Sequence, residues 1–167
     1  MKDGVAWIPG PWPGRPGIAA RPRGGEWLGD EIRAWHQGGI DVVLSLLTPD
    51  EMSELDLQDE ATKARHAGLR FLGFPIPDRG VPESRLAFAE LVHSLEKDLR
   101  AGRRVAVHCR QGIGRSALVA ASLLVSTGEA PDAALRVIEQ ARGIPVPETP
   151  EQRGWIAQFA ANLASVR

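Results

Sequence analysis

A chain of 167 residues, 43% hydrophobic and 25% charged, is long enough for one domain with a sizeable core. A net charge of −1 excludes the strongly basic field of a nucleic-acid binder, and one cysteine excludes an internal disulfide. No run approaches the ~18 apolar residues of a spanning helix, and Met1 to Trp7 has no uninterrupted apolar segment of signal-peptide type, so a soluble cytoplasmic protein is expected.

Residues 4–25 are rich in glycine and proline, which disfavours a regular helix and leaves room for two short extended pieces, Val5–Ile8 and Gly17–Arg21. Trp7 and Trp12 are expected to pack, and Arg21 and Arg23 to be exposed. Glu26 to Gln37 reads as a helix with Leu28, Ile32 and Trp35 on one face, stopped by Gly38-Gly39. Ile40 to Leu47 is short and rich in branched apolar residues, the pattern of a buried strand. Residues 49–67 are polar and helical in pieces, anchored by Leu55 and Leu57. Leu69 to Ile76 reads as another strand, running into Pro77-Asp78-Arg79-Gly80.

Pro82 to Ala101 is a helix with Leu86, Ala89, Val92 or His93, Leu95 and Leu99 near one face. Val105–His108 is a central strand. The helix from Ser116 to Val125 is apolar nearly all round, so it is buried. An amphipathic helix spans Pro131–Arg142 between a first-turn proline and Gly143. A last helix begins at Thr149-Pro150-Glu151-Gln152 and reaches about Val166, burying Trp155, Ile156, Phe159 and Leu163. Strand–helix alternation implies an α/β fold: a central, mostly parallel (mixed) sheet of about five strands with helices on both faces.

Between the central strand and the buried helix lies His108-Cys109-Arg110-Gln111-Gly112-Ile113-Gly114-Arg115-Ser116. Gly112 and Gly114 let this loop curl, so that successive N–H groups, from Arg110 through Arg115, converge on an anion. The N-terminus of the following helix adds its positive dipole end. That field is expected to favour the thiolate of Cys109, the nucleophilic form. Arg115 can grip two phosphoryl oxygens at once, which lysine cannot. A buried structural cysteine would explain neither the glycines nor the arginine at these spacings. The four histidines, His36, His66, His93 and His108, show no metal-ligand spacing, and neither a metal nor a cofactor is expected.

The pattern His108-Cys109-x-x-Gly112-x-x-Arg115-Ser116 resembles the signature loop of the cysteine-dependent protein tyrosine phosphatase superfamily, and the chain length resembles its compact dual-specificity branch. The resemblance implies a single phosphatase domain over residues 1–167, with 1–25 as an edge segment and 26–167 as the catalytic core. It implies hydrolysis of phosphomonoesters on protein phosphotyrosine or phosphoserine/threonine through a phosphocysteine, by a monomer that binds neither nucleic acid nor membrane. Such an enzyme needs an acid for the leaving oxygen. Asp78 matches the family's acid-loop position, although a turn aspartate beside Pro77 and Gly80 is an ordinary use; Asp59 and Glu83 are the fallback candidates.

His108 is expected to fix the loop through hydrogen bonds. Ser116 is expected to donate to the departing sulfur, or to serve only as a first-turn residue. Thr149-x-x-Gln152 is a capping box, and it also resembles the family's Thr-x-x-Gln, whose glutamine orients water. Arg110 and Gln111 stand where phosphoinositide-directed relatives usually carry lysines. A phosphate-binding module without turnover and a sulfurtransferase are the competing classes; para-nitrophenyl phosphate and thiosulfate assays discriminate between them.

Overall fold

A computed structural model describes residues 4–166; Met1–Asp3 and Arg167, which the expected domain includes, lie outside the described residues. Among these described residues five strands form one sheet: β1 (Val5–Trp7), β2 (Arg15–Ala19), β3 (Val42–Ser45), β4 (Arg70–Gly73) and β5 (Arg104–His108). Their order is β1-β2-β5-β3-β4. Only the β1–β2 pair is antiparallel; β2–β5, β5–β3 and β3–β4 are parallel. The sheet expected from the alternation is therefore present, with β5 at its centre.

Among the described residues seven α-helices accompany the strands: α1 (Leu28–Gln37), α2 (Pro49–Glu54), α3 (Glu60–His66), α4 (Arg85–Arg100), α5 (Arg115–Ser126), α6 (Pro131–Arg142) and α7 (Pro150–Val166). Side chains alternate across a strand, and the alternation sorts the core into two layers. Val105 and Val107 of β5, with Val42 and Leu44 of β3, join the cluster built by α4, α5, α6 and α7. Ala106 and Val43 face the opposite cluster, formed with Leu28 and Ile32 of α1 and Ala64 of α3. Helix α5 is buried from Arg115 through Val125, which its all-round apolarity requires. Leu57, expected as an anchor of the polar stretch, is fully buried against α1 and α3.

One face differs from its sequence reading. Leu86 and Ala89 are exposed, with Leu86 at 71% of its full area, whereas the buried stripe of α4 is Phe88, Val92, Leu95 and Leu99. The reason is helical phase: positions 88, 92, 95 and 99 repeat at four, three and four, so Phe88 leads the stripe and Leu86 falls off it. Phe88 meets Trp155 edge-on at 4.6 Å and Phe159 at 5.5 Å, locking α4 to α7. His93 is exposed, as expected. Among the described residues no helix is long and apolar enough to cross a membrane.

Candidate active site

Ligand sites in parallel sheets lie beyond the carboxyl ends of the strands, and three such ends meet here. Beyond β5 comes the loop carrying Cys109; beyond β3, Leu46 and Leu47 lead to α2; beyond β4, Phe74 to Ile76 lead to Asp78. The Leu46 N–H donates to the His108 carbonyl at 3.0 Å, and the Ile76 N–H to the Leu46 carbonyl at 3.1 Å, tying the three exits together.

Cys109 is a free thiol on the α5 side of the sheet, 3% exposed. The Gly112 N–H donates to its Sγ at 3.2 Å. Gly112 has φ +73°, a conformation that glycine adopts without strain, and this turns the chain back over the sulfur. A small cavity opens onto Cys109, lined also by Asp78, Gln111, Ile113, Gly114, Arg115 and Glu148. Asp78, and not Asp59 or Glu83, lines this cavity with the cysteine.

Arg115, the first residue of α5, is 2% exposed. Glu51 of α2 meets it as a fork: Nη1 to Oε1 at 2.6 Å and Nη2 to Oε2 at 2.9 Å. Nη1 also donates to the Ile76 carbonyl at 2.9 Å, and Nη2 to Asp78 Oδ1 at 3.1 Å. Burial pushes the Arg115 guanidinium down, but the Glu51 hydrogen bond, then the charges of Cys109, Glu51 and Asp78, hold it above its ordinary value. Glu51 itself is pushed up by burial. The hydrogen bonds from Arg115 and the Thr48 backbone, with the Arg115 charge, outweigh that and keep its carboxyl below the ordinary value.

Sequence reasoning missed Glu51. Its local signal was a capping box: the Thr48 hydroxyl accepts the Glu51 N–H at 3.3 Å, and the Thr48 N–H donates to Glu51 Oε1 at 3.1 Å. The box fixes the carboxylate against the end of α2, where it can also face Arg115. Glu60 was missed as well. Because His108 follows Ala106 by two positions on β5, it points to the α1–α3 side, where its Nε2 lies 2.6 Å from Glu60 Oε2. Both side chains are at most 1% exposed, and the Trp35 ring lies 6.0 Å from the imidazole. No local pattern marks a glutamate in a polar stretch as the partner of a histidine 48 residues later.

Arg110 reaches away from the loop to Glu54 at 3.1 Å, and Gln111 is exposed. Ser116 is fully buried, and its hydroxyl has no hydrogen-bond partner among the described residues. Gln152 is fully buried and forms the expected capping box with Thr149, at 3.1 and 3.2 Å. Its Nε2 donates to the Gly80 carbonyl at 3.1 Å, so it also holds the loop that carries Asp78. Arg79, next to Asp78, binds Glu148 at 2.7 Å across the same seam.

Residues 18–129 match the model of a family described as a polymorphic toxin system, DSP-PTPase phosphatase. Cyclin-dependent kinase inhibitor 3 of Sus scrofa is 30% identical over 129 residues, 76% of this chain and 60% of that protein. The chain thus spans about three fifths of the length of the curated relatives it matches first. A crystal structure of kinase associated phosphatase superposes with a TM-score of 0.84 at 22% identity, over 96% of both chains. Tk-PTP in its active form gives 0.80 at 25% identity, over 96% of this chain and 99% of its own. With the family match covering well over half of its residues, the chain belongs to the DSP-PTPase phosphatases.

Proposed function

We propose that this chain hydrolyses phosphomonoesters, with phosphotyrosine or phosphoserine/threonine of proteins as the substrate class, through a phosphocysteine at Cys109. One observation carries the reading above the others. A sulfur that accepts the Gly112 N–H at 3.2 Å shares a cavity with a buried arginine whose fork is already oriented by Glu51. Because Glu51 fixes Arg115, little ordering remains to be done when the phosphoryl group arrives.

The phosphoryl oxygens take the loop N–H groups of residues 110–115 and one edge of Arg115, replacing Asp78 at Nη2. Cys109 Sγ attacks phosphorus in line; the S–P bond forms as the ester P–O bond breaks. Negative charge on the equatorial oxygens is met by the loop amides and Arg115. Asp78 passes its proton to the leaving oxygen. In the second step the Asp78 carboxylate takes a proton from water, the water oxygen attacks phosphorus, and the S–P bond breaks. The Ser116 hydroxyl, buried and without a hydrogen-bond partner among the described residues, donates to the sulfur as charge returns there. Gln152 acts in this account as the brace between α7 and the acid loop, both ends of its amide being engaged. A reducing compartment suits a nucleophile that must stay a free thiol.

The test is hydrolysis of para-nitrophenyl phosphate. The purified chain is expected to turn it over, and Cys109→Ser to lose turnover while still binding inorganic phosphate. Turnover that survives in Cys109→Ser would refute the reading.

A further inference from the structure

Resting on that reading, we infer that Arg142 is a positioning residue that sets the direction of the anion-binding amides in the signature loop. Arg142 ends α6. Gly143 follows at φ 73°, and its N–H closes on the Glu139 carbonyl at 2.7 Å, so the helix stops there. From that end the guanidinium reaches the back of the loop. Its Nε donates to the Gly112 carbonyl at 3.0 Å and its Nη2 to the Gln111 carbonyl at 3.3 Å.

A trans peptide is planar, and its C=O and N–H point opposite ways. Drawing the Gln111 carbonyl towards Arg142 therefore turns the Gly112 N–H away, to the 3.2 Å contact with Cys109 Sγ. Drawing the Gly112 carbonyl the same way turns the Ile113 N–H away from Arg142, and Ile113 lines the cavity that holds the sulfur. One side chain thus aims two consecutive donors.

The loop needs such a constraint. Glycine rotates its flanking peptides easily, and a reversed Gln111–Gly112 peptide would present a carbonyl oxygen to a phosphoryl oxygen. With Arg142 in place, reversal breaks charge-assisted hydrogen bonds. The backbone is also wedged: a Cβ on Gly112 would lie 3.2 Å from Ile18 Cγ2 and 3.4 Å from Arg142 Nη2. Arginine suits the task because its rigid fork spans two adjacent carbonyls, whereas an ammonium is a point charge on a flexible stem.

The experiment measures tungstate, a tetrahedral oxyanion, by calorimetry and as a competitive inhibitor of para-nitrophenyl phosphate hydrolysis. Wild type, Arg142→Ala and Arg142→Lys are compared, with thermal midpoints recorded for each. Arg142→Ala is expected to weaken tungstate binding about tenfold or more, the scale of a charge-assisted hydrogen bond lost, with kcat/KM falling alongside. Arg142→Lys should recover only a minor part, and added guanidinium ion, but not ammonium ion, should partly restore the alanine variant. If Arg142→Ala does not fold, Arg142→Lys carries the test through the same weakening. A folded alanine variant that binds tungstate within about twofold of wild type overturns the inference, and so does a lysine variant equal to wild type, since charge alone would then suffice. Wild type that binds no tungstate overturns the phosphatase reading too, whereas binding by wild type with unaffected variants sinks only the role of Arg142.

Discussion

Arg115 keeps its charge while almost fully removed from water, because Glu51 meets both arms of its fork. Removing one partner of a buried pair leaves an uncompensated charge, which costs about 3–5 kcal/mol. Glu51→Gln is therefore expected to lower the unfolding free energy by that order in urea titrations near neutral pH, and to reduce kcat/KM as Arg115 loses its orientation. The effect has a sign in pH. The folded carboxyl lies below its unfolded value of 4.5, so its contribution is present above that value and is lost as pH falls through the folded value. The stability gap between wild type and Glu51→Gln should accordingly narrow on acidification below pH 4.5. Cys109, Gly112 and Arg115 were legible in the sequence because they lie in one short stretch and the chemistry needs them at fixed spacing. The roles of Glu51 and Glu60 were not, since their partners lie 64 and 48 residues away, and the capping box of Glu51 marks a helix start rather than a pairing with Arg115.

The loop that carries Asp78 and the start of α7 are joined by Gln152 to Gly80 and by Arg79 to Glu148. Arg79 sits at φ 60°, an uncommon backbone for a side chain of its size, in the turn that presents Asp78. The Arg79 side of its ion pair is exposed, so the pair contributes little to stability. Arg79→Ala is expected to leave the thermal midpoint nearly unchanged. It should slow alkyl phosphates, whose leaving oxygen needs the proton, more than para-nitrophenyl phosphate, a split visible in parallel kcat measurements. Equal slowing of both would argue against a loop-positioning role. Element identities and order were readable from periodicity and from glycine and proline punctuation. Val92, Leu95 and Leu99 of α4 are buried as their spacing predicts, whereas Leu86 and Ala89 are not, because packing of Phe88 against Trp155 and Phe159 decides the phase of the first turn.

At the scale of the whole molecule, the sheet divides the labour. One side, through α4 to α7, builds the main core and carries the cysteine, while the other, through α1 and α3, holds His108 from behind. The larger core cluster depends on aromatic contacts that close α4 on α7. Phe88→Ala is expected to cost about 3–5 kcal/mol, the range for a fully buried phenylalanine, and Leu86→Ala, largely exposed, no more than about 0.5 kcal/mol, by chemical denaturation. The fold's general plan was readable because strand and helix patterns alternate; the pairing of distant carboxylates with loop residues exists only once the sheet brings the strand ends together. The central claim is covalent: phosphorus passes through sulfur. Rapid acid quenching during turnover of para-nitrophenyl phosphate, followed by peptide mass spectrometry, measures this directly. The account predicts a phosphoryl adduct on Cys109, longer-lived in Ser116→Ala; an adduct on another residue, or steady turnover by Cys109→Ser, would contradict it.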